Sequence, residues 1–139
     1  MSDELTRAET WLTATLLASA PLTALVGQRV YSHFAEPGCA FPYVVFVYLG
    51  GRDVRGHASN RIMHSGLWLV KATINKPSFA DVKPVADAID VALHAAAGSV
   101  AGGGTVLSSV REQPFSLVDM EDGVQYRSLG GQFRILTQV

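Results

Sequence analysis

The amino-acid sequence predicts an α+β fold in which two α-helices pack on a mostly antiparallel β-sheet of four to five strands, in the order α-β-β-β-α-β-β. Apolar residues recur at helical spacing in two alanine-rich segments, one near the start of the chain and one around residues 81–97. Between and after these segments lie runs of β-branched and aromatic residues, bounded by glycine, proline and aspartate turn signals. Because most connections between the runs are short, neighbouring strands are expected to pair as antiparallel hairpins.

The two helices are each defined by an apolar stripe and by a stop signal. The first should be capped by the Ser2 hydroxyl and should end near residues 18–20, because Pro21 disfavours helix in the residue before it. Its stripe is Leu5, Ala8, Leu12 and Leu16. The second should begin near Asp81 and end at Gly98. Its stripe is Val82, Val85, Ala86, Ile89, Leu93 and Ala96.

Five segments have the composition of β-strands. They are residues 30–34, 43–49, 62–75, 105–112 and 124–137. Residues 50–61 are polar and contain glycine, so they are expected to form a long loop. Asp122-Gly123 predicts a tight hairpin turn, Pro114 is expected to interrupt or end the fourth strand, and Gly130-Gly131 predicts a bulge in the last one.

Composition limits the function classes. The 139 residues predict a single domain over 1–139, with 48% hydrophobic and 17% charged residues. With so few charges, some apolar surface should be buried against other subunits. A net charge of −1 is unlike a duplex-binding domain, and the single Cys39 excludes an intramolecular disulfide. We expect a soluble protein made in the cytoplasm, without signal peptide or membrane span.

No motif for catalysis, cofactor binding or metal binding is found. The four histidines lack metal-site spacing, and a Cys39–His33 pair has no recognisable oxyanion hole beside it. Gly102-Gly103-Gly104 follows a helix and lacks the lysine of a phosphate-binding loop, so it is interpreted as a linker. We therefore predict that the protein is not an enzyme and has no catalytic, cofactor or metal residues.

The 50–61 segment contains the one concentration of basic residues. Its candidate docking residues are Arg52, Asp53, Arg55, His57 and Arg61. Three interpretations stay open: a solvated loop, docking to an acidic protein surface, and contact with DNA passing through a channel. The overall charge makes DNA the weakest of the three.

An ordered set of segments resembles a known family over about residues 8–139. The segments are Leu16-Leu17-Ala18, Leu25-Val26-Gly27-Gln28-Arg29-Val30-Tyr31, Phe41-Pro42-Tyr43-Val44-Val45, Leu67-Trp68-Leu69-Val70, residues 85–94, and Tyr126-Arg127-Ser128-Leu129-Gly130-Gly131-Gln132-Phe133-Arg134-Ile135. Together they are similar to the tail-completion or tail-terminator proteins of long-tailed phages and prophages. Gly130-Gly131 departs from the continuous strand that this resemblance implies there.

The resemblance implies a structural virion protein of the tail or neck, assembled in the bacterial cytoplasm. Such proteins form a ring, usually hexameric, that caps the tail tube, ends its polymerisation and offers its other face to the head–tail connector or stopper protein. The implied partners are therefore copies of itself, the tail-tube protein and the connector, and no membrane. Candidate subunit-interface residues on the two strands chosen for this role are Tyr43, Val45, Val47, Gln132, Arg134 and Leu136.

Two alternatives stay open from the sequence. A connector or stopper of the neck is also a ring-forming protein, and sequence does not separate it from a terminator. In a different class, a small α+β ligand-binding module or enzyme would need a concave pocket with converging polar groups.

Overall fold

The computed structural model describes residues 3–138, and within this range the chain forms three α-helices and six β-strands. The helices are α1 (Asp3–Ala18), α2 (Ala20–Val26) and α3 (Lys83–Leu93). The strands are β1 (Val30–Ser32), β2 (Tyr43–Arg55), β3 (Arg61–Ile74), β4 (Ala96–Ser99), β5 (Thr105–Glu121) and β6 (Val124–Gln138). Short 3₁₀ turns span His57–Ser59 and Phe79–Asp81. The predicted capping residue Ser2 lies outside the described residues.

All six strands belong to one mixed sheet in the order β1-β2-β3-β6-β5-β4. β1 pairs with β2 in parallel, and the other neighbours pair antiparallel. The predicted fold was therefore wrong in its strand number, helix number, element order and pairing. The chain adds α2 after α1 and the short edge strand β4 after α3.

Two local features explain these missed elements. Pro21 was interpreted as the signal that ends the first helix, but it also occupies the first turn of α2, where a missing N–H costs nothing. β4 reads Ala-Ala-Gly-Ser, which lacks the β-branched residues typical of strands, and it was assigned to the end of the second helix. In the structure that helix ends at Leu93, and Gly98 lies inside β4.

β2 and β5 are longer than predicted, because the breaks expected at residue 50 and at Pro114 do not occur. Residues 50–55 continue β2 instead of forming a loop, which leaves a short tip at residues 56–60. β5 runs through Pro114 to Glu121. The predicted turn at Asp122-Gly123 is confirmed: both residues have positive φ, and Glu121 pairs with Val124 across it.

Gly130 lies where β6 and β3 approach closely. A Cβ built on Gly130 would be 2.0 Å from the Val70 carbonyl oxygen, so only glycine fits without moving the backbone. The predicted bulge at this position was wrong, because β6 pairs with β3 without a register shift. The register shifts are on the other side, in β5, between Val106 and Ser108 and between Arg111 and Gln113.

The three helices cover one face of the sheet and form the core with it. From the helices, the most deeply buried side chains are Leu12, Leu16, Leu22, Ile89 and Leu93, and from the sheet they are Val44, Phe46, Trp68, Val70, Phe133 and Ile135. The first predicted stripe faces the sheet, and from the second stripe Val85, Ile89 and Leu93 do so. Ala86 lies outside the core cluster, where Ala88 is buried instead, and Ala96 lies in β4. Within residues 3–138 the opposite face of the sheet carries no helix, and the six candidate interface residues lie on this face.

Candidate docking surfaces

The basic residues of the predicted docking segment divide into two groups. Arg52, Arg55 and His57 are exposed at the end of the β2–β3 hairpin, whose tip is closed by a 2.6 Å hydrogen bond from the Gly56 amide to the Asn60 carbonyl. Arg61 lies at the start of β3 and turns towards the body of the protein. The tip thus presents two guanidinium groups and one imidazole to solvent.

Asp53 belongs to a polar chain that holds the hairpin to the sheet. The Tyr48 hydroxyl lies 3.0 Å from His64 Nε2, and His64 Nδ1 lies 3.0 Å from Asp53 Oδ1. Arg61 continues the chain, with Nη1 3.6 Å from Asp53 Oδ2 and 3.8 Å from the buried carboxylate of Glu4 in α1. These contacts fix the direction in which the hairpin leaves the sheet.

The hydrogen bond from His64 lowers the pKa of the Asp53 carboxyl below its usual value, and the nearby Arg61 guanidinium lowers it further. Asp53 is therefore ionised at neutral pH, and its carboxylate is already in contact with His64 and Arg61. It offsets the basic charge of Arg61 rather than that of the exposed tip.

The six predicted subunit-interface residues all lie on the helix-free face of the sheet. Strand pairing places Val47 in line with Leu69 and Gln132, and Tyr43 in line with Thr73 and Ser128. On this face Val45 is buried, whereas the other five residues are half-buried: Tyr43, Val47, Gln132, Arg134 and Leu136. Whether another subunit covers them stays a prediction.

The Arg134 and Gln132 side chains already have polar partners on β5. Arg134 forms a two-pronged ion pair with Glu112, with N–O distances of 3.1 and 3.2 Å. Gln132 is hydrogen bonded to Gln113 on β5. β6 lies between β3 and β5, so it can offer a neighbouring subunit its face but no free edge.

The free strand edges lie elsewhere, on β2 and β5. β1 covers only Val44–Phe46 of β2, so within residues 3–138 the outer edge of β2 is unpaired over 47–55. β4 reaches Ser109 of β5, and the His94 ring accepts a hydrogen bond from the Arg111 amide. Beyond that point, the outer edge of β5 is unpaired over 113–121 within the described residues.

The turn at Asp122-Gly123 defines which β5 residues direct their backbone outwards. Glu121 and Val124 flank a two-residue turn, so they form a hydrogen-bonded pair, and alternate residues from Met120 back to Pro114 point their backbone away from β6. Proline at one of these outward positions costs no ladder bond. The sequence contained a signal for this free edge that we did not use. Pro114 lies an even number of residues before Met120, the first outward-facing position next to the two-residue turn.

A groove of about 570 Å³ opens on the helix-free face, at the end of the sheet opposite the hairpin tip. Its floor includes Tyr43, Val45, Lys71, Thr73 and Ser128, and its walls are residues 33–39 and the end of the β5–β6 hairpin. Sequence reasoning missed this groove, because its lining comes from segments far apart in the chain.

The described residues show no cluster of three or more histidine, cysteine, aspartate or glutamate side chains that could hold a metal ion. His33 lies 3.5 Å from Glu9, and His33 and Cys39 both line the groove. None of the helices in the described range is long and apolar enough to cross a membrane.

Comparison with known proteins gives a family match and matches among solved structures. A family model described as "Tail completion protein gp17" matches residues 10–138. Among solved structures, a chain of the "Virion of native gene transfer agent (GTA) particle" has a TM-score of 0.78 at 19% identity, with 100% of both chains covered. At that identity the likeness establishes a shared fold and nothing more. A comparison with curated proteins found no match.

Proposed function

Because this chain belongs to the tail completion protein gp17 family, whose members are structural proteins of phage virions, we propose that it forms a closed hexameric ring on the end of a tail tube. The ring stops tube polymerisation and presents its other face to the head–tail connector. Family membership supports the coarser statement that the chain is a structural tail protein of a virion. The ring and the capping role are our proposal.

The two free strand edges are the observation that carries the ring. A closed ring of identical subunits needs heterologous contacts, in which two different patches of the same chain meet head to tail. The outer edge of β2 (47–55) and the outer edge of β5 (113–121) lie towards opposite sides of the sheet and are similar in length. Exposed, unpaired edges of this length are a template for pairing with another chain.

Strand directions also suit this contact. In the sheet order, β2 and β5 run in opposite directions, since each step from β2 through β3 and β6 to β5 is antiparallel. If successive subunits keep one orientation around the ring axis, β2 of one copy meets β5 of the next as an antiparallel pair. Each ring contact then adds about one net-favourable backbone hydrogen bond per residue pair, worth about 0.5–1.5 kcal/mol each.

The hairpin tip supplies a second surface for the same function. Arg55 and His57 lie beyond the three-stranded part of the sheet, whereas the exposed Arg52 lies within it, in line with Ser65 and Leu136. The Tyr48–His64–Asp53 contacts hold the hairpin in direction. We assign the tip to docking against an acidic surface of the next ring in the virion, either tube or connector.

Substitution of Ser116 tests the ring contact. Ser116 is exposed and has the same outward backbone direction as Pro114, so Ser116→Pro removes an outward N–H while sparing the pairing with β6. We expect the variant to fold but to fail to assemble with tail-tube protein, whereas Ser116→Ala assembles normally. Native mass spectrometry measures both. Normal assembly of a folded Ser116→Pro protein would contradict the β5 edge as a subunit contact.

A further inference from the structure

We propose that the groove on the helix-free face binds an extended segment of a partner protein that carries arginine or lysine beside apolar residues. This inference rests on the proposed function in one respect: the proposed function identifies the source of the segment as a neighbouring virion protein. The groove itself is argued from its lining alone.

Aromatic rings make up much of the apolar lining. The Phe41 ring lies 5.2 Å from Tyr43 and 5.9 Å from Tyr126, measured between ring centroids, and all three are half-buried. At the mouth, the Phe34 side chain is 86% exposed, and on the facing wall Leu117 is 44% exposed. Aromatic faces attract guanidinium and ammonium groups. Covering the exposed apolar groups with a partner removes them from water, which favours binding.

The charges of the lining select a cation. Three carboxylates, from Glu36, Asp119 and Glu121, line the groove against one ammonium group. That ammonium group belongs to Lys71 on the floor, and it lies 5.9 Å from the centre of the Phe115 ring. An anionic occupant would meet the three carboxylates, whereas a basic one would pair with them.

The position of the groove separates it from the hairpin tip. Tyr43 lies at the start of β2 and borders the groove, whereas Arg55 ends the same strand at the tip, about 40 Å away along an extended chain. The chain therefore has a basic end and an acidic, aromatic end. In a stacked virion assembly, these ends can face different neighbours, and each selects a partner of opposite charge.

The test uses a fluorescein-labelled peptide of about eight residues in which arginine and valine alternate, a strand-like pattern. The control peptide has the same sequence with glutamate in place of arginine. We expect the basic peptide to bind the purified full chain and the acidic peptide not to bind. Amide chemical-shift changes should concentrate in residues 33–39 and 117–126, and be absent from the tip at 52–57.

Two variants with matched charge change locate the site. The double substitution Asp119→Asn and Glu121→Gln should raise the Kd of the basic peptide about three- to tenfold, because two ion pairs at the groove rim are lost. Asp81→Asn with Asp87→Asn makes the same charge change on exposed residues outside the groove and should leave binding unchanged. Phe34→Ala tests the apolar contribution and should also weaken binding.

Several results would overturn the proposal: no binding of the basic peptide, equal binding of both peptides, or equal loss in both pairs of variants. Self-association of the chain that is lost in the Asp119/Glu121 variant would make a second copy the occupant, which also overturns it. Ring formation is measured separately by the Ser116 variants, so failure of peptide binding leaves the proposed function standing, and the reverse holds.

Discussion

Replacing Gly130 with alanine should destabilise the protein strongly, because β6 passes β3 at this residue with no room for a side chain. The new Cβ would lie 2.0 Å from the Val70 carbonyl oxygen and 2.7 Å from the Lys71 Cα, both backbone atoms. Ordinary contact begins near 3.4 Å, so the strands would have to separate by about 1.4 Å.

The cost follows from that displacement. A shift of this size takes about two ladder hydrogen bonds beyond bonding distance, at about 1 kcal/mol each, and overpacking adds about 1–3 kcal/mol. The lower entropy of unfolded alanine offsets about 0.4–1 kcal/mol. The free energy of unfolding should therefore fall by about 2–4.5 kcal/mol, which lowers the Tm by roughly 6–14 °C.

Gly131→Ala is the matched control. Its Cβ would approach only side-chain atoms of Arg111, the nearest at 2.9 Å, and a flexible side chain can move aside. We expect it to cost less than about 1 kcal/mol. Urea unfolding followed by tryptophan fluorescence measures both variants. A Gly130→Ala protein within about 1 kcal/mol of wild type, or no less stable than Gly131→Ala, would refute the reasoning.

Two further predictions concern the hairpin. Reversing the charge of its tip, with Arg52→Glu and Arg55→Glu, should leave the Tm unchanged within about 2 °C but impair the joining of tails to heads, since these exposed guanidinium groups are assigned to docking; normal virion yield would contradict that role. The lowered pKa of Asp53 means that its ionised form stabilises the folded state above the ordinary carboxyl pKa, and that this contribution disappears as pH falls through the lowered value. The Tm of Asp53→Asn should therefore lie below that of wild type near pH 6 and converge with it in acid, and an equal Tm difference at every pH would count against the His64 contact as the cause.

The sequence was informative where one local rule decides the conformation. The first apolar stripe and the Val85, Ile89 and Leu93 part of the second face the core, and Asp122-Gly123 forms the turn, because helical spacing and positive φ depend on residues close together in the chain. It misled where a residue has a different role in tertiary context. Pro114 and Gly50-Gly51 are usual breakers, but here one sits on a free edge and the others lie within the β2–β3 pairing.

For the candidate surfaces, too, the sequence was informative about positions within one strand and uninformative about contacts between distant segments. The candidate interface residues, which include Val45, Val47, Gln132 and Arg134, lie at alternate positions of their strands, and in the structure they share the helix-free face. Their contact with another subunit stays a prediction. Alternation cannot reveal strand order, so the central position of β6 and the free edge of β5 were not foreseen. The groove was also missed, since residues 33–39 and the β5–β6 hairpin meet only in the folded chain.

The central claim is that this chain closes into a ring on a tail tube. Native mass spectrometry of the purified chain, alone and with its cognate tail-tube protein, tests it most directly. We predict a species of hexameric mass, present in the free protein or formed when tube protein is added. A monomer or dimer that is indifferent to tube protein would contradict the ring and return the groove to consideration as the site of a small ligand-binding module.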